Sequence, residues 1–345
     1  MHSWRIIGLL LVFVLAACGT PQTTTPSTNP TPPPAVTTAA QTTKQQFVVG
    51  IVQQVSHPAL DASRRGVEEA LAASGLNIRV DSKNAQNDPA VLITIVDGFR
   101  DDKVSLVVAV GTQPLQAALK SLAGSGIPIV FNAVTDPYKA GAAVSPTEHP
   151  GVTGIQSLPP VTNAFDVILK VKPETKRVGI IWTTSEKNSE VATGLAREYA
   201  KTKGIEFIEA QVTKADEVLA AAESLAAQKV DAIFISTDST VVSALDSVVR
   251  VAGENKIGLF CNDPASARRG CATGLGLDYY DNGYSSAIEM VIPILQGTSP
   301  DTIAIRKQEK QNFIINTLTA AQQGLTIPAD VLATATEQVN TIVPK

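Results

Sequence analysis

The chain has 345 residues, of which 28 are basic and 32 acidic, so its net charge at pH 7 is −4. Nucleic-acid binding needs a clustered positive face, and the chain has no run of five basic residues, so this class of function is excluded. The length exceeds that of one ordinary domain and predicts two lobes.

The first 18 residues have the form of a lipoprotein signal. Arg5 gives a positive start, residues 6–14 are apolar, and residues 15–18 read LAAC. The apolar run is too short to span a membrane. We therefore expect cleavage before Cys18, lipidation of Cys18 and an extracytoplasmic location, on the cell surface or the periplasmic face. The membrane is then reached through the lipid anchor only.

Residues 19–46 are almost wholly Thr, Pro, Ser, Gln, Ala and Asn. Such a composition cannot bury enough apolar surface to fold. It predicts a disordered Thr/Pro-rich tether between the anchor and the folded part of the chain.

A first series of strands and helices follows the tether. Its strands are short apolar, β-branched runs, and its helices have the apolar spacing of one buried face. The predicted strands are 47–52, 77–85 at an edge, 106–111 and 127–134, and the predicted helices are 60–73, 89–101 and 114–123.

The same alternation then restarts after a joint near residues 150–156. The predicted strands are 177–182, 205–212, 230–236, 257–261 and 271–277, and the predicted helices are 186–203, 214–228 and 240–253. A late amphipathic helix, 282–295, and the segment 303–308 extend neither series in a simple way.

The two series predict an α/β protein with two doubly wound parallel-sheet lobes joined by three crossovers. We expect the late helix to return to the first lobe before the chain crosses again. Lobe one then comprises 47–153 plus about 283–308. Lobe two comprises 154–282 plus about 309–340.

Two cysteines remain once Cys18 is assigned to the lipid. An even pair outside the cytoplasm favours a disulfide. However, Cys261 ends one predicted strand and Cys271 begins the next parallel strand. A crossover puts those two points at opposite edges of a sheet. The sequence therefore predicts two buried free thiols, with a disulfide as the alternative.

Polar loops follow the predicted strands, where open α/β sheets bind their ligands. Their Ser, Thr and Asx residues are also ordinary helix N-caps. Hydroxyls and helix N-termini suit a carboxylate, and Asp136, Asp238 and Asp263 suit an ammonium, although the same groups hydrogen-bond sugars. The loops therefore predict a site for a small polar ligand.

Catalytic and metal-binding motifs are missing from the sequence. It has no phosphate-binding or dinucleotide-binding glycine motif, no HExxH and no GxSxG. Isolated histidines and cysteines offer no zinc ligand set. We expect no enzyme, no metal and no cofactor.

In order along the chain, seven stretches resemble the substrate-binding lipoproteins of ABC transporters whose better-known members bind tryptophan, tyrosine or phenylalanine. They are VSHPALDASRRGVEEAL, NAVTDP, GVTGI, WTTSEKNS, AIFISTDSTV, GLGLDYYDNG and INTLTAAQQGLTIPADVL. The resemblance implies a type I periplasmic-binding-protein-like fold that closes on one ligand.

The resemblance also implies which residues line the cleft. In lobe one these are Ser56, His57, Thr112 and Asp136, and in lobe two Ser185, Ser189, Asp238 and Asp263. We expect hydroxyls and backbone N–H groups to hold a carboxylate and Asp238 to hold an amine.

Several further side chains are open to two interpretations. His57 either contacts the ligand or stabilises the His-Pro turn, and Trp182 either stacks on the ligand or packs in the core. Tyr279 and Tyr280 lie either in the cleft or against the hinge. Gln54 and Gln113 depart from the family pattern, and both are expected to face the cleft and to favour a more polar ligand than tryptophan.

The function implied is that of a monomeric binding protein that delivers an amino-acid-like ligand to an ABC permease and its ATPase. Two alternatives stay open at this point. One is a ligand-sensing lipoprotein for a receptor or kinase, and the other is a nucleoside- or purine-binding importer component.

Overall fold

A computed structural model describes residues 45–343. The predicted signal, Cys18 and nearly all of the predicted tether lie outside the described residues. Within them, no helix combines the length and the apolar character that a membrane crossing needs.

The first half of the described chain alternates strands and helices as predicted. Its strands are β1 (Phe47–Gln53), β2 (Ile78–Asn84), β3 (Leu106–Val110), β4 (Ile129–Val134) and β5 (Val152–Gln156). Its helices are α1 (Pro58–Ala73), α2 (Pro89–Asp101) and α3 (Thr112–Ser121).

The second half repeats the alternation and adds several short helices. Its strands are β6 (Arg177–Thr183), β7 (Glu206–Val212), β8 (Ala232–Ile235), β9 (Gly258–Cys261), β10 (Thr273–Leu277), β11 (Arg306–Lys307), β12 (Gln311–Asn316) and β13 (Glu337–Val339). Its helices are α4 (Val161–Val171), α5 (Lys187–Thr202), α6 (Val218–Ala227), α7 (Ser239–Ser243), α8 (Leu245–Asn255), α9 (Pro264–Arg268), α10 (Tyr279–Ser286), α11 (Ile292–Leu295), α12 (Thr317–Gln322) and α13 (Ala329–Ala333).

Two sheets result, and the chain passes between them three times. The first has the order β11-β5-β4-β3-β1-β2 and the second β13-β12-β10-β9-β8-β6-β7. The passages follow β5, β10 and β11. Apolar helix faces cover both sides of each sheet, with α2 and α3 opposite α1 and α11, and α4 and α5 opposite α6 and α8. The predicted α/β architecture with three crossovers is confirmed.

Three local features differ from expectation. The predicted joint contains a buried strand, β5, in which a Cβ on Gly154 would lie 2.4 Å from the Phe131 carbonyl oxygen. Glycine is needed at this position because Phe131 packs against it. A glycine within the segment weakens the sequence pattern of a strand, so the sequence did not predict β5. The predicted helix 240–253 divides into α7 and α8, and β12 pairs antiparallel with β10 in an otherwise parallel sheet.

The late helix packs on the first sheet, and its first part makes close backbone contact with α1. A Cβ on Gly283 would lie 1.9 Å from the Ser63 carbonyl oxygen, and one on Gly66 would lie 2.4 Å from the Tyr280 carbonyl oxygen. The α1 and α10 backbones therefore touch, which no larger residue at either glycine would allow.

The expectation of free thiols is wrong, because Cys261 and Cys271 form a disulfide with their Cα atoms 6.0 Å apart. The prediction assumed that the helix between the two strands runs the full length of the strands and so separates the two cysteines. Strand β9 has only four residues and α9 only five, so the connection is short and brings Cys271 back close to Cys261. The bond closes the loop that carries Asp263.

This bond makes a prediction for the thiol count and for stability. A Cys18→Ala protein retains Cys261 and Cys271, and Ellman's reagent should find no free thiol in it under denaturing, non-reducing conditions. Reduction should lower the free energy of unfolding, measured in urea, by about 2–3 kcal/mol, because the loop it opens is short. Reductant should leave a Cys261→Ala/Cys271→Ala protein unchanged. Two reactive thiols without reductant contradict the bond.

Candidate functional site

A cavity lies between the carboxyl ends of the strands of the two sheets. The segments after β1, β3 and β4 form one wall, and those after β6, β8, β9 and β10 form the other. Its volume is about 600 Å³, counting the space at its mouth. This is the position where open α/β sheets bind ligands.

Half of the predicted ligand-binding residues line this cavity. They are Gln54, His57, Thr112, Asp238 and Asp263. Gln113 and Tyr279, each considered from the sequence, line it as well. Tyr280 instead donates a hydrogen bond to Glu69 at 2.6 Å, which places it against α1 of the first lobe.

Three predicted residues lie outside the cavity wall and have local partners or none. Ser56 is exposed and donates a hydrogen bond to a carboxylate of α1 at 3.0 Å. Asp136 accepts from the backbone N–H groups of Tyr138 and Lys139, so it caps the turn that follows β4. Ser185 is exposed beyond β6.

Trp182 and Ser189 are buried behind the wall. Trp182 is 8% exposed and belongs to the apolar core under α4 and α5, the alternative that sequence analysis left open. Ser189 is fully buried and donates a hydrogen bond of 2.6 Å to Asp238. Ser189 therefore positions a cavity side chain without lining the cavity.

Asp238 is fully buried and accepts four hydrogen bonds from within the second lobe. Thr183 donates its backbone N–H over 2.6 Å and its hydroxyl over 3.0 Å, Ser189 its hydroxyl over 2.6 Å, and Val241 its N–H over 2.8 Å. Burial first, then the neighbouring Glu186 carboxylate, raises the pKa of Asp238 to about 7. Both carboxylate oxygens are occupied, so Asp238 joins β6, α5 and α7.

Glu186 lines the cavity, and sequence analysis missed it. It is 1% exposed and accepts from the N–H groups of Ser239 and Thr240, the Thr240 hydroxyl and the Asn188 amide, at 2.7–3.0 Å. The sequence predicts Glu186 as the first residue of the helix 186–203, where an acidic residue is common. The available signal is its position in the polar loop that follows the buried strand β6.

Asp263 and His57 face each other across the cavity from different lobes. The Asp263 Oδ2 atom accepts from the Ser266 N–H and hydroxyl, whereas Oδ1 accepts only from the Ala265 N–H over 3.3 Å. His57 Nδ1 accepts from the Ala59 N–H, and Nε2 lies 3.4 Å from Asp263 Oδ2. Asp263 Oδ1 thus keeps acceptor capacity.

The N-terminus of α3 presents two backbone N–H groups at the cavity, those of Thr112 and Gln113, since Pro114 at the third position has none. Gly111 precedes this ten-residue helix and provides no side-chain cap. The first N–H groups of a helix have no partner within it. Thr112 is 5% exposed, and its hydroxyl has no hydrogen-bond partner among the described residues. These groups are suited to a bound anion.

The cavity is rich in acidic side chains. Asp238, Glu186 and Asp263 line it, and the described lining includes no Lys or Arg. Burial, together with Asp263, raises the pKa of the Tyr279 hydroxyl, which stays neutral at pH 7. No group of three or more potential ligands with metal-binding geometry occurs in residues 45–343.

Comparison with known proteins identifies the family. A model of the family described as ABC transporter substrate binding protein matches residues 48–339. A curated tyrosine-binding protein of Clostridioides difficile is 33% identical over 322 residues, covering 92% of this chain and 91% of that protein.

Two solved structures share the fold, which is of the type I periplasmic-binding-protein kind. One is a complex with L-Trp from Streptococcus pneumoniae, with a TM-score of 0.81 at 25% identity, covering 86% of this chain and all of that one. The other is the ligand-free, open form of a substrate-binding protein from Clostridium difficile, with a TM-score of 0.65 at 31% identity, covering 86% and 99%.

The described arrangement of the lobes is closed. It superposes better on the ligand complex than on the open form, although the open form is the more similar in sequence. The His57–Asp263 contact and a 3.4 Å hydrogen bond from Asn87 to Thr240 bridge the cleft.

The buried position of Asp238 predicts a pH-dependent stability difference. Because its pKa is raised from about 3.9 to about 7, the folded protein keeps a proton that the unfolded chain has released between those values. The free energy of unfolding should fall as pH rises through this window, and Asp238→Asn should lack that fall. The difference between wild type and variant, measured by urea denaturation, should therefore shrink from pH 5 to pH 8.

Asp136→Asn is the matched control for this experiment, since Asp136 lies outside the cavity wall. It is expected to follow the wild-type pH dependence. An Asp238→Asn deficit that stays constant across the range contradicts the assignment.

Proposed function

The chain belongs to the ABC transporter substrate-binding protein family, and we propose that it captures an aromatic amino acid for an ABC importer. Members of the family bind and deliver a substrate and carry out no reaction. The finer assignment, to an aromatic amino acid, rests on the chemistry of the cavity and on what the relatives bind.

The charge of the cavity carries the proposal. Three buried acidic side chains line the cavity, of which Asp238 is only partly ionised at pH 7, and the lining residues include no Lys or Arg. This charge favours a ligand with a positive group, such as the ammonium of an amino acid, over a neutral sugar. The Asp238 and Glu186 oxygens each already accept hydrogen bonds. Asp263 Oδ1 has the most acceptor capacity left, so Asp263 is the proposed partner of the ammonium.

The ligand carboxylate is proposed to bind at the opposite lobe. The α3 N-terminus there offers free backbone N–H groups, and the Thr112 hydroxyl lies beside them. The ligand then has one charged end on each lobe. Because its two ends contact different lobes, binding stabilises the closed arrangement over the open one.

The remaining walls suit an aromatic side chain. Val55, Leu60, Ala133 and Val242 contribute apolar surface, and Tyr279 contributes a ring. Two relatives support this class of ligand, the C. difficile tyrosine-binding protein and the S. pneumoniae protein in complex with L-Trp.

Delivery depends on closure in this proposal. An ABC permease distinguishes loaded from empty protein by the distance between the lobes, and its ATPase drives the transport. A lipid on Cys18 holds the binding protein outside the cytoplasmic membrane, close to the permease.

Calorimetry with amino acids tests the ligand. Protein freed of bound ligand should bind tyrosine, tryptophan or phenylalanine in preference to glucose or adenosine. Asp263→Asn should weaken that binding more than tenfold, since a hydrogen bond to a charged group contributes about 1.5–3 kcal/mol. Asp102→Asn, at the exposed end of α2, should bind as the wild type does.

Two results would count against this proposal. Binding of a sugar or nucleoside in place of aromatic amino acids rejects the ligand class. Unchanged affinity in a folded Asp263→Asn protein rejects the ammonium site alone.

The anchor has its own test. In cells, the wild-type protein should separate with the membrane fraction and label with a radioactive fatty acid. The Cys18→Ala protein should carry no label and should no longer separate with the membrane fraction, because a lipid-modified Cys18 is the proposed anchor. A Cys261→Ala/Cys271→Ala protein should still label. Label that persists in Cys18→Ala contradicts the assignment.

A further inference from the structure

The Gln54 side chain is buried at the cavity with one polar atom unused. Gln54 is 2% exposed, and its Nε2 donates to the Asn87 Oδ1 and Gln113 Oε1 atoms, both over 2.8 Å. Its Oε1 is buried and has no hydrogen-bond partner among the described residues. A buried acceptor without a partner is destabilising, so a ligand donor at this position would be stabilising.

A chain of hydrogen bonds determines which atom of the Gln54 side-chain amide has no partner. The Thr240 hydroxyl donates to the Glu186 carboxylate over 2.7 Å, so its oxygen is available only as an acceptor. Asn87 must therefore turn its Nδ2 to Thr240, which directs its Oδ1 to Gln54.

Gln54 in turn must present Nε2 to Asn87 and keep Oε1 for another donor. We name these four residues the polar relay: Glu186, Thr240, Asn87 and Gln54. It runs from the second lobe to the first.

The polar relay and the proposed ammonium site lie at different positions along the cleft. Asn87 follows β2, the outermost strand of its sheet, and Glu186 follows β6, which is next to the outermost strand β7. Asp263 follows β9, which lies beside β10. After β10 the chain passes between the two sheets at Tyr279. Gln54 also contacts Gln113 at the N-terminus of α3, where the ligand carboxylate is proposed to bind. A carboxylate carries no donor, so an amino acid with its ammonium at Asp263 can donate a hydrogen bond to Gln54 only from its side chain.

We propose that Gln54 Oε1 accepts a hydrogen bond from the side chain of the ligand, so that the protein selects a phenol or an indole over an unsubstituted phenyl ring. The inference rests on the proposed function and names the substrate class within it. Tyrosine and tryptophan carry the donor, and phenylalanine does not. A site that holds a buried acceptor rejects a ligand lacking the donor, because the acceptor is then left unpaired.

Calorimetry with tyrosine, tryptophan and phenylalanine tests this inference. The wild-type protein should bind tyrosine or tryptophan at least about tenfold more tightly than phenylalanine. In Gln54→Leu that ratio should fall to about one, with phenylalanine binding retained as evidence that the cleft is folded. Gln322→Leu, on the exposed side of α12, should keep the wild-type ratio.

A second variant tests the polar relay if Gln54→Leu does not fold. Asn87 has φ of +63°, a conformation that glycine adopts freely, so Asn87→Gly removes the side chain without strain. Gln54 is then free to turn its amide, and the ratio should fall severalfold.

The other outcomes overturn the inference in distinguishable ways. Equal weakening of all three ligands in Gln54→Leu means that Gln54 contacts the ammonium, and an unchanged ratio means that it contacts no ligand donor. Both results leave the proposed function standing. A wild-type protein that binds none of the three rejects the proposed ligand class and the inference with it.

Discussion

The hydrogen bonds to the buried carboxylate of Asp238 hold the second wall of the cleft in place. They join the end of β6, the first turn of α5 and the start of α7, three segments distant in sequence. Glu186, between β6 and α5, can then reach the N–H groups of Ser239 and Thr240. The wall is preorganised by these bonds, and its charged groups are fixed before a ligand arrives.

Closure depends on far fewer contacts than the wall does. The α1 and α10 backbones touch through Gly66 and Gly283, which fixes the crossing helix on the first lobe. Across the cleft, the His57–Asp263 contact is 3.4 Å long and the Asn87–Thr240 bond is also 3.4 Å. A ligand that binds both lobes would add its own interactions to these contacts and so favour the closed arrangement.

The distribution of polar atoms along the cleft relates the proposed ligand to its selectivity. Carboxylate capacity remains at Asp263, unpartnered donors lie at α3 and Thr112, and a single unpaired acceptor belongs to Gln54. Each suits a different part of one molecule: an ammonium, a carboxylate and a side-chain donor. The polar relay also links selectivity to closure, because the Asn87–Thr240 bond that orients Gln54 bridges the two lobes.

The sequence by itself determined the two series of strands and helices, the return of the late helix and the polar loops after the strands, because these follow from local periodicity and connection rules. It also directed attention to Gln54, His57, Thr112, Asp238 and Asp263, which line the cavity. The tertiary structure alone decided which polar loop residues face the cavity. After a strand, neighbouring residues point in different directions, so one lies in the cavity wall and the next in the core or in solvent. The tertiary structure thus placed Trp182 in the core, Ser185 in solvent and Glu186 in the cleft. The disulfide likewise depended on the depth of a crossover, a distance in space that the spacing of Cys261 and Cys271 along the chain does not contain.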